Sequence, residues 1–419
     1  MEHNFDIDDR LQVWPNALGF YIHVSKNSVA VWPSECYEKH DVIGKILYYR
    51  MRMITSPENV EFILKKGAKH FLLDDLQHRL LEPALGQGLI LAEGDKWFSL
   101  RRQSSRFIRP TCLDQVADLC KNAAQNAAHQ LLKENRPIDL VLAEAFLKIF
   151  GKAFFDATKE DTIGVSESVE QYIENAQRVA VSTFLGLPKF LSLSAKKQLS
   201  LAHSLDERFD SALELRDLKS VQPTKAARRD FVINLMTGYK TTSVAAFWTL
   251  ICLAKAQSHF EPCRIAGEKH LNAPDENKDY LDGAIDEATR LFPPLPLIMR
   301  TPKSDILLPS GDIAKPKEKL IISPWIVHRH KLLWDDPDRF IPLRHLEGDM
   351  RAPFFIPFGM GARLCPGQKL GTFALKEFLA NLLQLARPIA DFDKIKPKGG
   401  FILRPDDNMK IKWQKVGKA

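Results

Sequence analysis

Residues 358–367 read Phe358-Gly359-Met360-Gly361-Ala362-Arg363-Leu364-Cys365-Pro366-Gly367. One cysteine sits in a glycine-rich loop, and the apolar residues Leu370, Phe373, Ala374, Phe378, Leu379 and Leu382 follow at helical spacing. Cys365 is therefore expected just ahead of a helix N-terminus, where unpaired N–H groups and the positive end of the helix dipole favour an anion. That setting lowers a thiol pKa and yields the thiolate that a soft metal requires. Gly359, Gly361 and Gly367 permit a tight turn and a close approach to a flat ligand. Arg363 offers a fork of donors to a carboxylate.

The loop matches the pattern Phe-x-x-Gly-x-Arg-x-Cys-x-Gly at every fixed position. This is the haem-binding signature of the cytochrome P450 family, the haem-thiolate monooxygenases, and the chain resembles that family. The resemblance implies haem b as cofactor, with Cys365 as the proximal iron ligand and Phe358, Gly359, Arg363 and Gly367 lining the loop. It also implies a mainly α (α+β) fold, a large helical body with a small β-rich N-terminal lobe.

Upstream, Gly94-Asp95-Lys96-Trp97-Phe98-Ser99-Leu100-Arg101 places Trp97 and Arg101 four apart, on one helical face. The pair resembles the family's Trp-x-x-x-Arg, which implies contact with a haem propionate. Arg102, Arg106 and Arg109 continue the basic run and suggest a face for an electron-transfer partner. Residues 111–220 read as amphipathic helices with polar joints, one of them broken at Gly186-Leu187-Pro188. The resemblance makes this region the lid, shorter here than in many relatives.

The longest helical pattern covers residues 228–257, with Thr237-Gly238-Tyr239-Lys240-Thr241-Thr242-Ser243 at its middle. A glycine beside a run of hydroxyl residues weakens the helical ladder and admits a kink or a water. The segment is similar to the family's oxygen-binding motif, which implies that Thr241 passes protons and that Lys240 stands where an acid is usual. Three readings of Lys240 stand side by side. Its stem packs and its head snorkels or meets an acid; its ammonium anchors an acidic substrate, as a basic residue does in related peroxygenases; or oxygen activation is replaced by peroxide use or a rearrangement.

Glu287 and Arg290 lie three apart and meet on one helix face. They resemble the family's Glu-x-x-Arg, and Asp336-Pro337-Asp338-Arg339-Phe340 resembles the segment whose arginine, Arg339 here, completes an ion triad. Between them, the prolines of Phe292-Pro293-Pro294-Leu295-Pro296-Leu297-Ile298-Met299-Arg300 enforce an extended course. The family likeness implies that Arg300 pairs with a propionate and that Leu295 and Leu297, with Ile90 and Thr237, face the substrate. His328 reads as structural, since the thiolate takes the proximal position.

At the ends of the chain, Tyr21–Val24, Val29–Trp32 and Ile46–Tyr49 read as short β pieces within residues 1–70. Ser56-Pro57-Glu58 reads as a helix start. Phe401-Ile402-Leu403 and Met409–Trp413 read as a closing hairpin, with Phe401 or Ile402 near the pocket.

With 419 residues and 45% apolar content the chain can bury a large core, and the resemblance selects one domain over 1–419. No run reaches membrane-spanning length, and the acidic start (Glu2, Asp6, Asp8, Asp9) has no signal-like pattern. The expectation is a bacterial-type, soluble, cytoplasmic enzyme without a membrane anchor. Six scattered cysteines without a C-x-x-C pair argue against disulfides and zinc. The net charge of +7 carries no nucleic-acid motif.

The function that follows from the resemblance is insertion of one oxygen atom of O2 into a C–H bond of a hydrophobic small molecule, one with an acidic end if Lys240 anchors it. With no flavin or iron–sulfur motif in the chain, electrons come from a ferredoxin or flavodoxin with its reductase. Two other classes stand beside it: a peroxygenase, isomerase or dehydratase, and a non-catalytic haem sensor.

Overall fold

The computed structural model describes residues 5, 11–16, 19, 22–23, 27–46, 49–108, 113–134, 136–155, 171–172, 175, 179, 193–213, 224–274, 277–347, 354–392, 396–405 and 411–417. The longer helices are α1 (Asp75–Leu85), α2 (Gly94–Phe107), α3 (Leu113–His129), α4 (Ile138–Phe155), α5 (Leu193–Leu213), α6 (Lys225–Lys255), α7 (Phe260–Asn272), α8 (Tyr280–Leu291) and α9 (Gln368–Leu383). Their ends are chemically marked. Asp74 Oδ1 accepts from Leu76 N–H at α1, and Thr224 Oγ1 accepts from Ala227 N–H at α6. Asp279 and Asp282 form a reciprocal capping box at α8.

Helix α6 is 31 residues long. Its residues Val244 to Ala254 are buried on every side, which is why the run lacks an amphipathic stripe. It packs on α4 and α9, and α3 packs on both of those, so α3, α4, α6 and α9 form a bundle. Phe146 and Phe378 meet in it with ring centroids 4.9 Å apart. Relative to the expected 228–257, the helix starts earlier because Thr224 caps it. It stops at Lys255 because Ala256 leaves helical geometry (φ −102°, ψ 69°).

The main sheet has the order β1-β2-β7-β4-β3. Its strands are β1 (Ile43–Ile46), β2 (Tyr49–Met53), β3 (Phe71–Leu73), β4 (Ile298–Pro302) and β7 (Lys319–Ile322), while β5 (Ile306–Leu307) and β6 (Ile313–Ala314) form a separate hairpin. Strand β7 runs parallel to β2 and antiparallel to β4. Two further pairs join β9 (Pro397–Lys398) to β10 (Arg404–Pro405), and β8 (Ala386–Ala390) to β11 (Ile411–Lys415). No helix among the described residues is long and apolar enough to cross a membrane.

Several local expectations are corrected. Ile46–Tyr49 is not one strand: the two residues pair antiparallel across a reversal between β1 and β2. Val29–Trp32 is a turn following Asn27, whose Oδ1 accepts from Val29 N–H at 3.3 Å. Its apolar residues are there because the core buries them. Ile22 and His23 are helical, and the rest of Tyr21–Val24 lies outside the described residues. Ser56 does precede a short helix, Pro57–Glu61, but its hydroxyl donates to Asp41 Oδ2 at 2.6 Å rather than capping. In the tail, β11 pairs with β8, not with Phe401–Leu403. Leu403 is instead tied to the body, its N–H donating to Pro294 O at 3.0 Å. Gly186–Pro188, Arg109 and the side chain of Arg106 lie outside the described residues.

Candidate active site

The cysteine loop is shaped by backbone only glycine adopts freely. Gly359 (φ 74°) and Gly361 (φ 72°) are left-handed. A Cβ on Gly361 would stand 2.1 Å from Leu64 O, so the back of the loop is pressed onto the Phe62–Lys66 turn. A Cβ on Gly359 would meet only Ile298 Cδ1, at 4.0 Å, so that side is open. Cys365 N–H donates to Phe358 O at 3.0 Å and closes the loop ahead of α9. Burial pushes the Cys365 thiol above its ordinary value, against the pull of the Gly367 hydrogen bond and Arg101. This corrects the expectation that the loop alone lowers the thiol pKa. Desolvation outweighs the Gly367 hydrogen bond and the Arg101 charge, and a metal bound to the sulfur would favour the thiolate.

On α6, Thr237, Gly238 and Thr241 are half-buried while their neighbours are buried, so this face borders open space. Thr241 and Thr242 both donate to Gly238 O, at 3.2 and 2.7 Å. Thr242 lies against α9, since a Cβ on Gly371 would sit 3.6 Å from its Oγ1. Lys240 is 5% exposed and does not snorkel to solvent. Burial lowers its ammonium pKa to about 8, Asp139 of α4 opposing and Arg404 of β10 adding to the shift. Ile90 N–H donates to Asn234 Oδ1 at 2.9 Å, one turn of α6 ahead of Thr237. Leu295 is 38% exposed and Leu297 half-buried beside β4.

Glu287 and Arg290 are joined at 2.7 Å with neither side chain exposed. Arg339 is not their third member. Its side chain pairs with Asp336 at 3.1 Å on the surface, and only its carbonyl accepts from Arg290, at 3.0 Å. The places at Glu287 are taken by Arg344 (Nε to Oε1, 3.0 Å), His345 (Nε2 to Oε2, 2.8 Å) and the Ile341 N–H (2.9 Å). Burial raises the Glu287 carboxyl, but Arg290, His345 and Arg344 outweigh it and hold the group well below the usual carboxylate range. His328 is structural: Nε2 accepts from Ile356 N–H at 2.9 Å, so Nδ1 donates to Arg290 O at 3.1 Å.

The family model described as Cytochrome P450 matches residues 140–413. The chain belongs to the cytochrome P450 family. It is 23% identical over 432 residues to Cytochrome P450 4p1 of Drosophila melanogaster, covering 88% of this chain and 82% of that relative. It is 25% identical over 380 residues to Cytochrome P450 734A1 of Arabidopsis thaliana, covering 79% and 72%. The fold is similar to that of a six-coordinated cytochrome P450 from Thermus thermophilus (TM-score 0.71, 19% identity, 89% of this chain and 94% of that chain). It is also similar to the haem domain of cytochrome P450DA (TM-score 0.73, 16% identity, 90% of each).

The cofactor of this P450 is haem b, its iron ligated by Cys365. The charge around the loop fits it. Arg101 Nη1 donates to Leu364 O at 2.7 Å, Arg300 Nη1 to Met299 O at 2.8 Å, and Arg363 Nη2 to Ala92 O at 2.6 Å. Arg363 also stacks on Trp97, its guanidinium carbon 5.0 Å from the ring centroid. Among the described residues none of the three arginines has a carboxylate within ion-pair distance. Burial and the Arg363 charge lower the Arg300 pKa to about 10. This excess of cations is what two propionates would neutralise.

Sequence reasoning missed Arg344, His345, Asp230 and Asn234. Asn234 was findable: it precedes Thr237 by three and Thr241 by seven, hence shares their helix face. Arg344 was findable: Pro342-Leu343-Arg344 repeats the Pro-x-Arg spacing of Pro337-Asp338-Arg339 five residues on, so the segment offered two registers for the third arginine, while His345 carried no such signal.

Proposed function

We propose that this P450 is an O2-dependent monooxygenase of hydrophobic small molecules, supplied with electrons by a ferredoxin or flavodoxin and its reductase in the cytoplasm. When bound, the haem supplies the oxygen-activating chemistry, and its thiolate ligand favours O–O cleavage. Trp97, Arg101, Arg300 and Arg363 would hold the cofactor's polar edge. Ile90, Thr237, Leu295 and Leu297 would border an apolar substrate.

The observation that carries the reading is the pair of hydroxyls on Gly238 O. Thr242 satisfies that carbonyl at 2.7 Å, so the weaker Thr241 bond at 3.2 Å can be released at little cost. Thr241 can then turn its proton to the open face. The test is Thr241→Ala, turned over with reductase and dodecan-1-ol as probe. More hydrogen peroxide released per NADPH supports the role, and unchanged coupling refutes it.

Exposed Lys96 and Arg102 on α2, the helix whose Arg101 donates to Leu364 of the cysteine loop, and Lys369 at the start of α9 would suit an acidic electron donor. A peroxide-driven reading has one observation in its favour, Lys240 in place of the usual acid. Product formed with peroxide alone, unaided by reductase, would select it.

A further inference from the structure

The segment from Gly86 to Ala92 is strapped across the site by side chains at both ends. At the α6 end, Asn234 Oδ1 accepts from Ile90 N–H at 2.9 Å, and its Nδ2 donates to Leu85 O at 2.9 Å and Asp230 O at 2.6 Å. One turn earlier, Asp230 Oδ2 accepts from Gln87 N–H at 3.1 Å. At the cysteine-loop end, Ala92 O accepts from Arg363 Nη2 at 2.6 Å. Only Leu91 therefore separates the residue in contact with α6 from the residue in contact with the cysteine loop.

The fit leaves no room for a side chain at Gly86 or Gly88. A Cβ on Gly88 would stand 2.0 Å from Asn234 Nδ2, and one on Gly86, already left-handed at φ 57°, 2.1 Å from Asp230 Oδ2. Asn234 is 7% exposed, and both its N–H donors and its carbonyl are engaged, so its amide has no donor left for a ligand. Its own backbone carbonyl accepts from Thr237 Oγ1 at 2.7 Å, which links the strap to the open face of α6.

We propose that Asn234 is a specificity-determining positioning residue: by holding the Gly86–Ala92 strap on α6 it fixes Ile90 beside Thr237 and Thr241, and so sets which ligands fit over the haem. The proposal rests on the reading above only in taking the Thr237–Thr241 face as the substrate side. Asn234 acts through Ile90, not by touching substrate.

The test uses haem-loaded Asn234→Ala, Gly88→Ala and the double variant. Hydrogen exchange reports the strap directly, and spectral titrations with imidazole and its bulkier phenyl-substituted analogue report the opening. Losing the Ile90 hydrogen bond should speed exchange in residues 86–92 by about tenfold. The affinity ratio should move by about fivefold towards the bulkier ligand, the scale of one lost neutral hydrogen bond. Gly88→Ala should act alike by displacing the Asn234 amide, and should add nothing once residue 234 is alanine. Unchanged exchange and ligand ratio in Asn234→Ala, or two effects that simply add, would overturn the proposal. If Asn234→Ala fails to load haem, Gly88→Ala alone decides between the same outcomes. Failure of oxygen-dependent turnover would leave both readouts intact, so the two readings fail separately.

Discussion

Arg290 Nε donates to Glu287 Oε2 at 2.7 Å, and neither side chain has any solvent exposure. Removing the carboxylate strands Arg290 and Arg344 in a buried site. Broken buried pairs cost about 3–5 kcal/mol, so Glu287→Ala should yield little haem-loaded protein. Arg344→Ala removes one of several partners and should cost about 1–3 kcal/mol. Arg339→Ala breaks only an exposed pair and should stay within about 0.5 kcal/mol. Haem-to-protein ratios and urea midpoints rank the three. An Arg339 effect as large as that of Glu287 would return to Arg339 the place in the triad that Arg344 holds. Because Glu287 is held below its ordinary 4.5, its stabilisation is present above that pH and lost as pH falls further.

Lys240 gives a pH slope of the same sign, but from a charge that burial penalises rather than one that is paired. Its folded pKa of about 8 lies below the ordinary 10.5, so between those values the unfolded chain binds more protons and stability rises with pH. Lys240→Met should therefore raise the unfolding free energy below pH 8, by up to about 3 kcal/mol, and the gain should fade towards pH 10.5. A gain independent of pH would show that the ammonium is not what burial penalises. The same variant bears on substrate choice. Buried as it is, Lys240 should not distinguish dodecanoic acid from dodecan-1-ol. Selective loss of acid binding in Lys240→Met would revive the substrate-anchor reading.

The docking face gives a salt-dependent prediction. Lys96→Glu, Arg102→Glu and Lys369→Glu together should slow reduction by an acidic ferredoxin by about tenfold or more at low salt, and the difference should shrink as salt screens it. Equal rates at low salt would place the partner elsewhere.

Much of this was legible in the sequence because it is local. The cysteine loop and the pairs Trp97/Arg101 and Glu287/Arg290 are fixed by spacing along one turn or one helix. The misreadings came where distant chain decides. Val29–Trp32 has strand-like residues because the core buries them. Arg339 lost its place to Arg344, which the same Pro-x-Arg spacing offers five residues on, because only Arg344 reaches Glu287. The thiol of Cys365 sits in a helix-terminus setting that burial overrides. Residue order alone does not decide any of these competitions.

The central claim, an O2-dependent monooxygenase, is tested most directly by oxygen labelling. A ligand that shifts the ferric spin state would be turned over under oxygen-18 gas with a ferredoxin, its reductase and NADPH. The account predicts one labelled atom in the product and none without reductase. Unlabelled product formed from added ordinary hydrogen peroxide, with no label from the gas under the reductase system, would contradict it.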